Sequence, residues 1–461
     1  MAIVTVQGAS SGSAINVTVD GAATGSLGAL VTSFSNELTS VIDTLNGEAL
    51  SSGGTYDFTG NAAGLAVLTG TGTYTLAGNL EYIVFGDTLG ATPTGAFHVD
   101  ASDVSSGTLS VVGGTQFGIE FQAGASNGTF IAGAGNNLFT GDQSSGAGNW
   151  AVTTGDGNDT VIAGTGSNTI NAGAGDNLIL IYQGSNVVAS YGQDTILGGN
   201  NSGQTVSVYG GSSVINVGAD AYINDASSGG NSITVGGTST IVAGTGDTIS
   251  LAGAGSSVYA GVSDTISASG DATVYGAHNA SIDAGGSLAF LGTGTTTITA
   301  SSATIFGGAG LDVTLDTTGS KGSLFVANSG NETLNAANSE YGVQAFGNVA
   351  GYSGTQVFIG GTASDTLVAG VGDATMTGGS GAANEFAFRN GIAGASYEIT
   401  DFGSAAGNFV FLYQYTEAEL TTALANQVNS NGSTTITLSD GSTIKFDNVA
   451  SLTSSQFAIG S

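Results

Sequence analysis

Apolar residues return along this chain every seven to nine positions, and between them lie Gly, Ser, Thr, Asp and Asn. The pattern is sharpest in three consecutive nines, Thr-Gly-Asp-Gly-Asn-Asp-Thr-Val-Ile (154–162), Ala-Gly-Thr-Gly-Ser-Asn-Thr-Ile-Asn (163–171) and Ala-Gly-Ala-Gly-Asp-Asn-Leu-Ile-Leu (172–180). Each copy has Gly at its second and fourth places, Asp or Asn at its sixth and an aliphatic residue at its eighth. Glycine lets the chain turn where a Cβ would clash, the Asp or Asn serves either a turn backbone or a cation, and the aliphatic residue points inward from a short strand. One unit cannot bury its own apolar residue, but stacked units can, so the pattern predicts a solenoid.

The spacing persists after the sequence loosens: Ile233, Ile241, Ile249, Val258, Ile266, Val274, Ile282, Phe290, Ile298, Ile305 and Val313 occupy the inward place. Two steps make one coil of about 16 to 18 residues, with two short strands and two tight corners. Upstream, Ile3, Val4 and Val6, then Ile15, Val17 and Val19, predict two strands. Phe34, Leu38, Val41, Ile42 and Leu45 fall on one helical face, which predicts a helix over Leu30 to Leu45, with Ser33 as N-cap, covering the first open sheet edge. Short strands follow from Gly53 to Gly128, with Pro93 in a loop, and the nines begin at Ala123. A degenerate stretch, Thr317 to Gln356, precedes two more copies at 360–368 and 369–377. Beyond them Phe386, Phe388, Tyr397, Phe402, Phe409 and Phe411 bring aromatic residues, Glu417 to Val428 reads as a helix, and Thr434 to Leu438 with Thr443 to Phe446 read as a hairpin. The expected fold class is therefore all-β, a parallel β-roll or β-helix solenoid with small terminal capping modules, each containing a short helix. The expected divisions are 1–122, 123–384 and 385–461.

Composition narrows the function. Eighty glycines and one proline would suit disorder if unpatterned, yet 40% of residues are apolar. A net charge of −31, with Lys321, Arg389 and Lys445 as the only Lys or Arg, excludes a basic surface for nucleic acid or anionic lipid. The absence of cysteine removes disulfides and thiolate chemistry. Met1 to Val6 offers no basic n-region, so no cleaved N-terminal signal is expected, and no apolar run is long enough for a membrane span.

Catalytic chemistry finds little footing. A uronate-active solenoid needs cations and a tuned base, against which this chain sets one Arg, two Lys and two widely separated histidines, His98 and His278. Gly8-Ala9-Ser10-Ser11-Gly12 fits a hydrolase pattern but lacks a following helix to present the serine. The chain is expected not to be an enzyme. Tyr182, Tyr191, Tyr209, Tyr222, Tyr259 and Tyr275 recur through the repeats, as do outward Thr and Ser. Such ladders either bind glycan, ice or another copy, or simply stabilise the stack.

The repeats resemble the calcium-binding Gly-Gly-x-Gly-x-Asp-x-aliphatic-x nonapeptides of RTX (hemolysin-type) proteins. Gly307 to Asp312 matches the first six places, and Thr154 to Ile162 all but the first glycine. Gly378 to Gly381 leading to Phe386–Phe388, Tyr397 to Phe402, Ser439 to Ile444 and Leu452 to Phe457 looks like the carboxyl-terminal region of type I secreted proteins. The resemblance implies export by type I secretion machinery from a Gram-negative bacterium, and calcium at low stoichiometry. The candidate ligands are Asp156 and Asp159 facing Asp176 and Asn177, with Asp312 and Asp365 besides. Many copies carry Asn instead of the motif's Asp, as at Asn137, Asn168 and Asn177, and each exchange removes charge from a calcium site. The alternative is a hydrogen-bonded Asn ladder that needs no metal.

These features predict a secreted, non-catalytic structural protein that self-assembles into an extracellular surface layer or biofilm-matrix fibre, in contact with itself and with cell-surface polysaccharide. The alternative is an adhesin, or an ice- or glycan-binding solenoid working through a flat Thr/Ser/Tyr face.

Overall fold

The structure, a computed structural model, describes residues 2–7, 14–19, 25–87, 95–113, 117–226, 229–348, 354–392 and 395–460. Nearly all of it is parallel β-structure wound as a β-solenoid, in two compact units, Met1–Ser239 and Thr240–Ser461. Gly8 to Gly12 and Pro93 lie outside the described residues. No helix among those described is long and apolar enough to cross a membrane.

In the first unit each strand from Asn46–Leu50 onward pairs in parallel with the strand one coil later, which gives two ladders. One runs through Ile119–Ala123, Leu138–Thr140, Thr160–Ile162, Leu178–Leu180, Thr195–Leu197, Val214–Val217 and Ser232–Val235. The other runs through Thr108–Gly113, Asn127–Ala132, Trp150–Thr153, Thr169–Asn171, Val187–Ser190, Thr205–Val208 and Tyr222–Asn224. Each nonapeptide is half a coil: Thr160 sits opposite Leu178, eighteen residues on. A three-residue strand puts only its middle side chain inside, so Val161, Ile170 and Ile179 are all buried. Earlier coils fill the interior with Phe121, Phe130, Phe139 and Trp150, whose rings lie 5.2 to 6.0 Å apart.

The N-terminal helix differs from expectation in extent and place. It spans Gly25–Val41, with a 3-10 turn over Ile42–Thr44, so Ser33 is an exposed residue within it and not its cap. The apolar stripe starts a turn earlier than the sequence suggested, because Leu27 also packs inward. Val31, Phe34, Leu38, Ile42 and Leu45 lie on Leu65, Val67, Tyr82, Val84, Val112 and Ile131, which belong to four successive strands of one ladder. The helix thus caps the first coils by covering a sheet face, and those strands are apolar on both sides. The two strands expected near the start form, as Ala2–Gln7 and Ala14–Val19, and pair antiparallel.

In the second unit the coil tightens: Thr265 sits opposite Ser281 and Ala272 opposite Leu288, sixteen residues on. Ile241, Ile249, Val258, Ile266, Val274, Ile282, Phe290, Ile298, Ile305 and Val313 are buried in this unit, and Ile233 in the first. The stretch read as degenerate, Thr317 to Gln356, keeps coiling through Ser323–Val326, Glu332–Asn335 and Val343–Phe346, with the repeat hidden by longer corners. Both ladders continue past residue 385: Glu385–Arg389, Phe409–Tyr413 and Phe457–Gly460 extend one, Ser396–Ile399 and Thr443–Phe446 the other. The expected hairpin forms between Ser433–Thr437 and Thr443–Phe446. The C-terminal helix spans Glu417–Ala425, shorter than expected, because Val428 begins a strand that pairs with the hairpin. Thr416 and Glu419 close its capping box.

Candidate functional site: corner ladders and outer sheet faces

The sixth-place residues Asn137, Asp159, Asn168, Asn177 and Asp365 are buried where their coils turn the corner. The Asn177 side-chain oxygen accepts the Asp159 N–H at 2.9 Å, and Asp159 Oδ1 accepts the Asn137 N–H at 2.6 Å. Asn137 in turn accepts the Ile119 N–H, and Asp194 accepts both the Asn177 N–H and its side-chain amide. The facing corner repeats this with Trp150 N–H donating to Asn168, Asn168 to Asn186, and Asn186 to Gln204. In the second unit, Val343 N–H donates to Asp365, Asp365 to Asn384, and Asn384 to Asn408.

The fifth-place residue runs the opposite way. Asn158, exposed beside Asp159, accepts the Asp176 N–H from the following coil, and Asn136 accepts the Asn158 N–H. Each corner therefore binds backward through its inner residue and forward through its outer one, which satisfies backbone donors that no strand reaches. The corners are too tight for side chains elsewhere. Gly175 has φ +113°, and a Cβ there would collide with the Gly157 carbonyl oxygen one coil below.

Burial dominates the electrostatics of these carboxylates. Desolvation pushes Asp159 and Asp365 up to about 6 against the N–H groups that favour their charge, and pushes Glu332 up to about 7. Glu332 accepts from the Asn328 and Ser329 N–H groups at 3.0 and 3.4 Å.

The six residues expected to hold calcium are dispersed. Asp159 and Asn177 meet, but as rungs of the inner ladder, in which Asp159 Oδ1 and Asn177 Oδ1 each accept a backbone N–H. Asp156 and Asp176 are exposed on the outside of the corner, and Asp156 contributes its backbone carbonyl to Gly135. Asp312 is exposed, while Asp365 is buried in the second unit's ladder. No three Asp, Glu or His side chains converge among the described residues. A calcium cage gathers six or more oxygens at one point, and as placed here these side chains do not converge on one.

The histidines stand apart as well. His98 Nδ1 lies 2.5 Å from Glu120 Oε2 on the outer sheet face, both half exposed, brought together by the register that sets their strands side by side. His278 Nδ1 meets the Thr293 hydroxyl at 3.0 Å.

The outer faces carry ladders of their own. Tyr191 stacks on Tyr209 with ring centroids 4.8 Å apart, and Tyr259 on Tyr275 at 5.2 Å; all four are exposed. In the second unit one outward column holds Thr248, Thr265, Ser281, Thr297 and Thr314. A column on the other ladder holds Val242, Tyr259, Tyr275, Leu291, Phe306, Val326, Phe346 and Val368. The sequence reading noticed only its two tyrosines. The missed signal was an apolar residue directly after an inward one, as in Val258-Tyr259, Val274-Tyr275, Phe290-Leu291 and Ile305-Phe306. The chain matches no family model, no curated protein and no solved structure, so its assignment goes no further than its own geometry, a β-solenoid with hydrogen-bonded corners.

Proposed function

We propose that this chain is a secreted, non-catalytic structural protein that self-assembles outside the cell into a surface layer or matrix fibre. One observation carries the reading: the ladder of the second unit ends on Phe457–Gly460, a strand hydrogen-bonded on one side only among the described residues. Its sequence, Phe-Ala-Ile-Gly, carries none of the charges or prolines that guard open edges. In the first unit Asn46–Leu50 and Gly54–Phe58 likewise pair on one side only. Joining unlike edges of successive copies is a heterologous contact that does not close, and it yields fibres. The solenoid supplies a stiff building block, and divalent cations act on the assembly as counterions to its acidic surface. Export by the type I route is what the C-terminal resemblance implies.

A second reading, an adhesin or an ice- or glycan-binding solenoid, draws on the hydroxyl column from Thr248 to Thr314. Electron microscopy of the purified full chain separates the two. Filaments or lattices that shorten in Ile459→Lys are expected. Persistent monomers that adsorb to polysaccharide or ice would replace the first reading with the second.

A further inference from the structure

We propose that the outer face of the second unit formed by the Val242-to-Val368 column is a homotypic contact surface, whose partner is the same face of a second copy of this chain. It deepens the self-assembly reading but concerns lateral contact, distinct from the strand edges.

The face is defined by register. Eight strands successive along one ladder present two outward residues each. The first column is Thr240, Ser257, Thr273, Ala289, Thr304, Leu324, Gln344 and Thr366, and the second is the apolar one. None of these sixteen positions is charged, in a chain of net charge −31. Carboxylates return where the ladder reaches Glu385, opposite Thr366. Tyr259, Tyr275, Leu291, Phe306 and Phe346 are each between 38% and 49% exposed along one line, with Val326 between the last two. Apolar residues scattered singly over a surface are ordinary, whereas a continuous line of them marks a contact surface.

Charge selects the occupant. Two copies of so acidic a chain repel wherever carboxylates face each other, so they can approach closely only through a face without them. A basic partner gains nothing from an uncharged face. A glycan platform needs aromatic ring faces turned outward, whereas Tyr259 and Tyr275 stack on each other with an interplanar angle of 25°, leaving edges and hydroxyls outward. The arrangement is also self-complementary. A two-fold axis between Leu291 and Phe306, the centre of the column, sets Leu291 of one copy against Phe306 of the other, Tyr275 against Val326 and Tyr259 against Phe346.

Size sets the strength. Seven strand spacings give a patch about 34 Å long and, with two outward columns, roughly 400 Å² per copy. That is about half of what a standard stable interface buries on each side. The contact is therefore weak in a single pair and effective in numbers, as lateral contact between fibres requires.

The chain's lack of cysteine makes the test clean. Leu291→Cys and, on the opposite ladder, Thr265→Cys are compared in the full-length protein with a bis-maleimide whose reach is about 10 Å, the spacing of packed sheets. Leu291→Cys is expected to give at least about tenfold more cross-linked dimer, and adding Phe306→Glu should abolish the excess by burying an unpaired charge. Both positions point outward, and unchanged circular dichroism and melting confirm that the variants fold. The comparison is repeated with Ile459→Lys, so that loss of end-to-end assembly does not mask the lateral contact. Equal cross-linking at the two positions overturns the proposal. So does adsorption to insoluble chitin or cellulose that Phe306→Glu removes while sedimentation stays monomeric, which would assign the face to glycan.

Discussion

Asn177 accepts the backbone N–H of Asp159 across one coil at 2.9 Å, while Asn158, the neighbour of Asp159, accepts the N–H of Asp176, the neighbour of Asn177. Two adjacent coils are thus tied at one corner by reciprocal bonds running in opposite directions. The inner bond is buried, where a lost partner leaves an unsatisfied donor, and the outer one competes with water. Replacing Asn168, the corresponding inner residue of the facing corner, tests the difference. Asn168→Ala strands the buried Trp150 N–H and should cost about 2–4 kcal/mol, while Asn158→Ala should cost about 1 kcal/mol or less. Urea denaturation of both variants measures the contrast; equal losses would mean that burial does not set the worth of the ladder.

The glycine at the fourth place makes a second test. Gly175→Ala puts a Cβ on a backbone with φ +113° and against the Gly157 carbonyl, so the coil spacing itself must open. A loss of about 2–4 kcal/mol is expected, well above the ordinary helix or loop Gly→Ala effect. Gly432→Ala is a control: it also has positive φ, but nothing lies within 4 Å of its Cβ, and it should lose only the backbone part.

Stability should fall as pH rises from about 4 to about 7. Asp159 and Asp365, with pKa values pushed to about 6, and Glu332, pushed to about 7, bind protons more tightly folded than unfolded. Their contribution is fully present below the unfolded carboxylate values near 4 and is lost as pH passes through the folded values. The usual drive for acid unfolding is weak here, because three Lys and Arg residues and two histidines leave little positive charge once the carboxylates are neutral. Thermal melts between pH 4 and pH 8 should show the highest melting point at the acidic end; a maximum near pH 7 would contradict the burial account.

How much of this was legible beforehand follows from which residues carry the signal. The coil was readable because its inward residues, such as Val161, Ile170 and Ile179, are apolar and evenly spaced. The Asn-ladder alternative was readable too, since Asn in place of the motif's Asp at residues 168 and 177 still accepts a backbone N–H and discards a charge. The helix position was not. Phe34 and Leu38 show an apolar face, but only the register of Tyr82 beside Leu65 and Val84 beside Val67 shows that a sheet face lies beneath it. The pairing of His98 with Glu120 and the alignment of Tyr275, Leu291 and Phe306 are likewise products of register, and variable corner lengths hide register from sequence.

The sharpest test of what holds the corners is Asp159→Asn, because the ladder and a metal site predict opposite signs. Asn168 and Asn177 show what an Asn does at this place: each accepts an N–H with its oxygen, and its amide donates to the side chain of the next rung, Asn186 or Asp194. An Asn at 159 can do the same toward Asn177 and removes a buried carboxylate whose charge desolvation disfavours. At pH 8 the variant should gain on the order of 1–3 kcal/mol, with the gain vanishing near pH 4, where the native carboxyl is already neutral. Were Asp159 a calcium ligand, the same change would weaken the protein in millimolar calcium, and the gain would show only in chelator. Melts of both proteins at pH 8 in calcium, in magnesium at equal ionic strength and in chelator decide the matter. The ladder predicts that both proteins melt higher with either cation than with chelator at low salt, by a similar increment, since screening of the −31 net charge is indifferent to the ion. A calcium-specific rise lost in Asp159→Asn would instead make the corner a metal site.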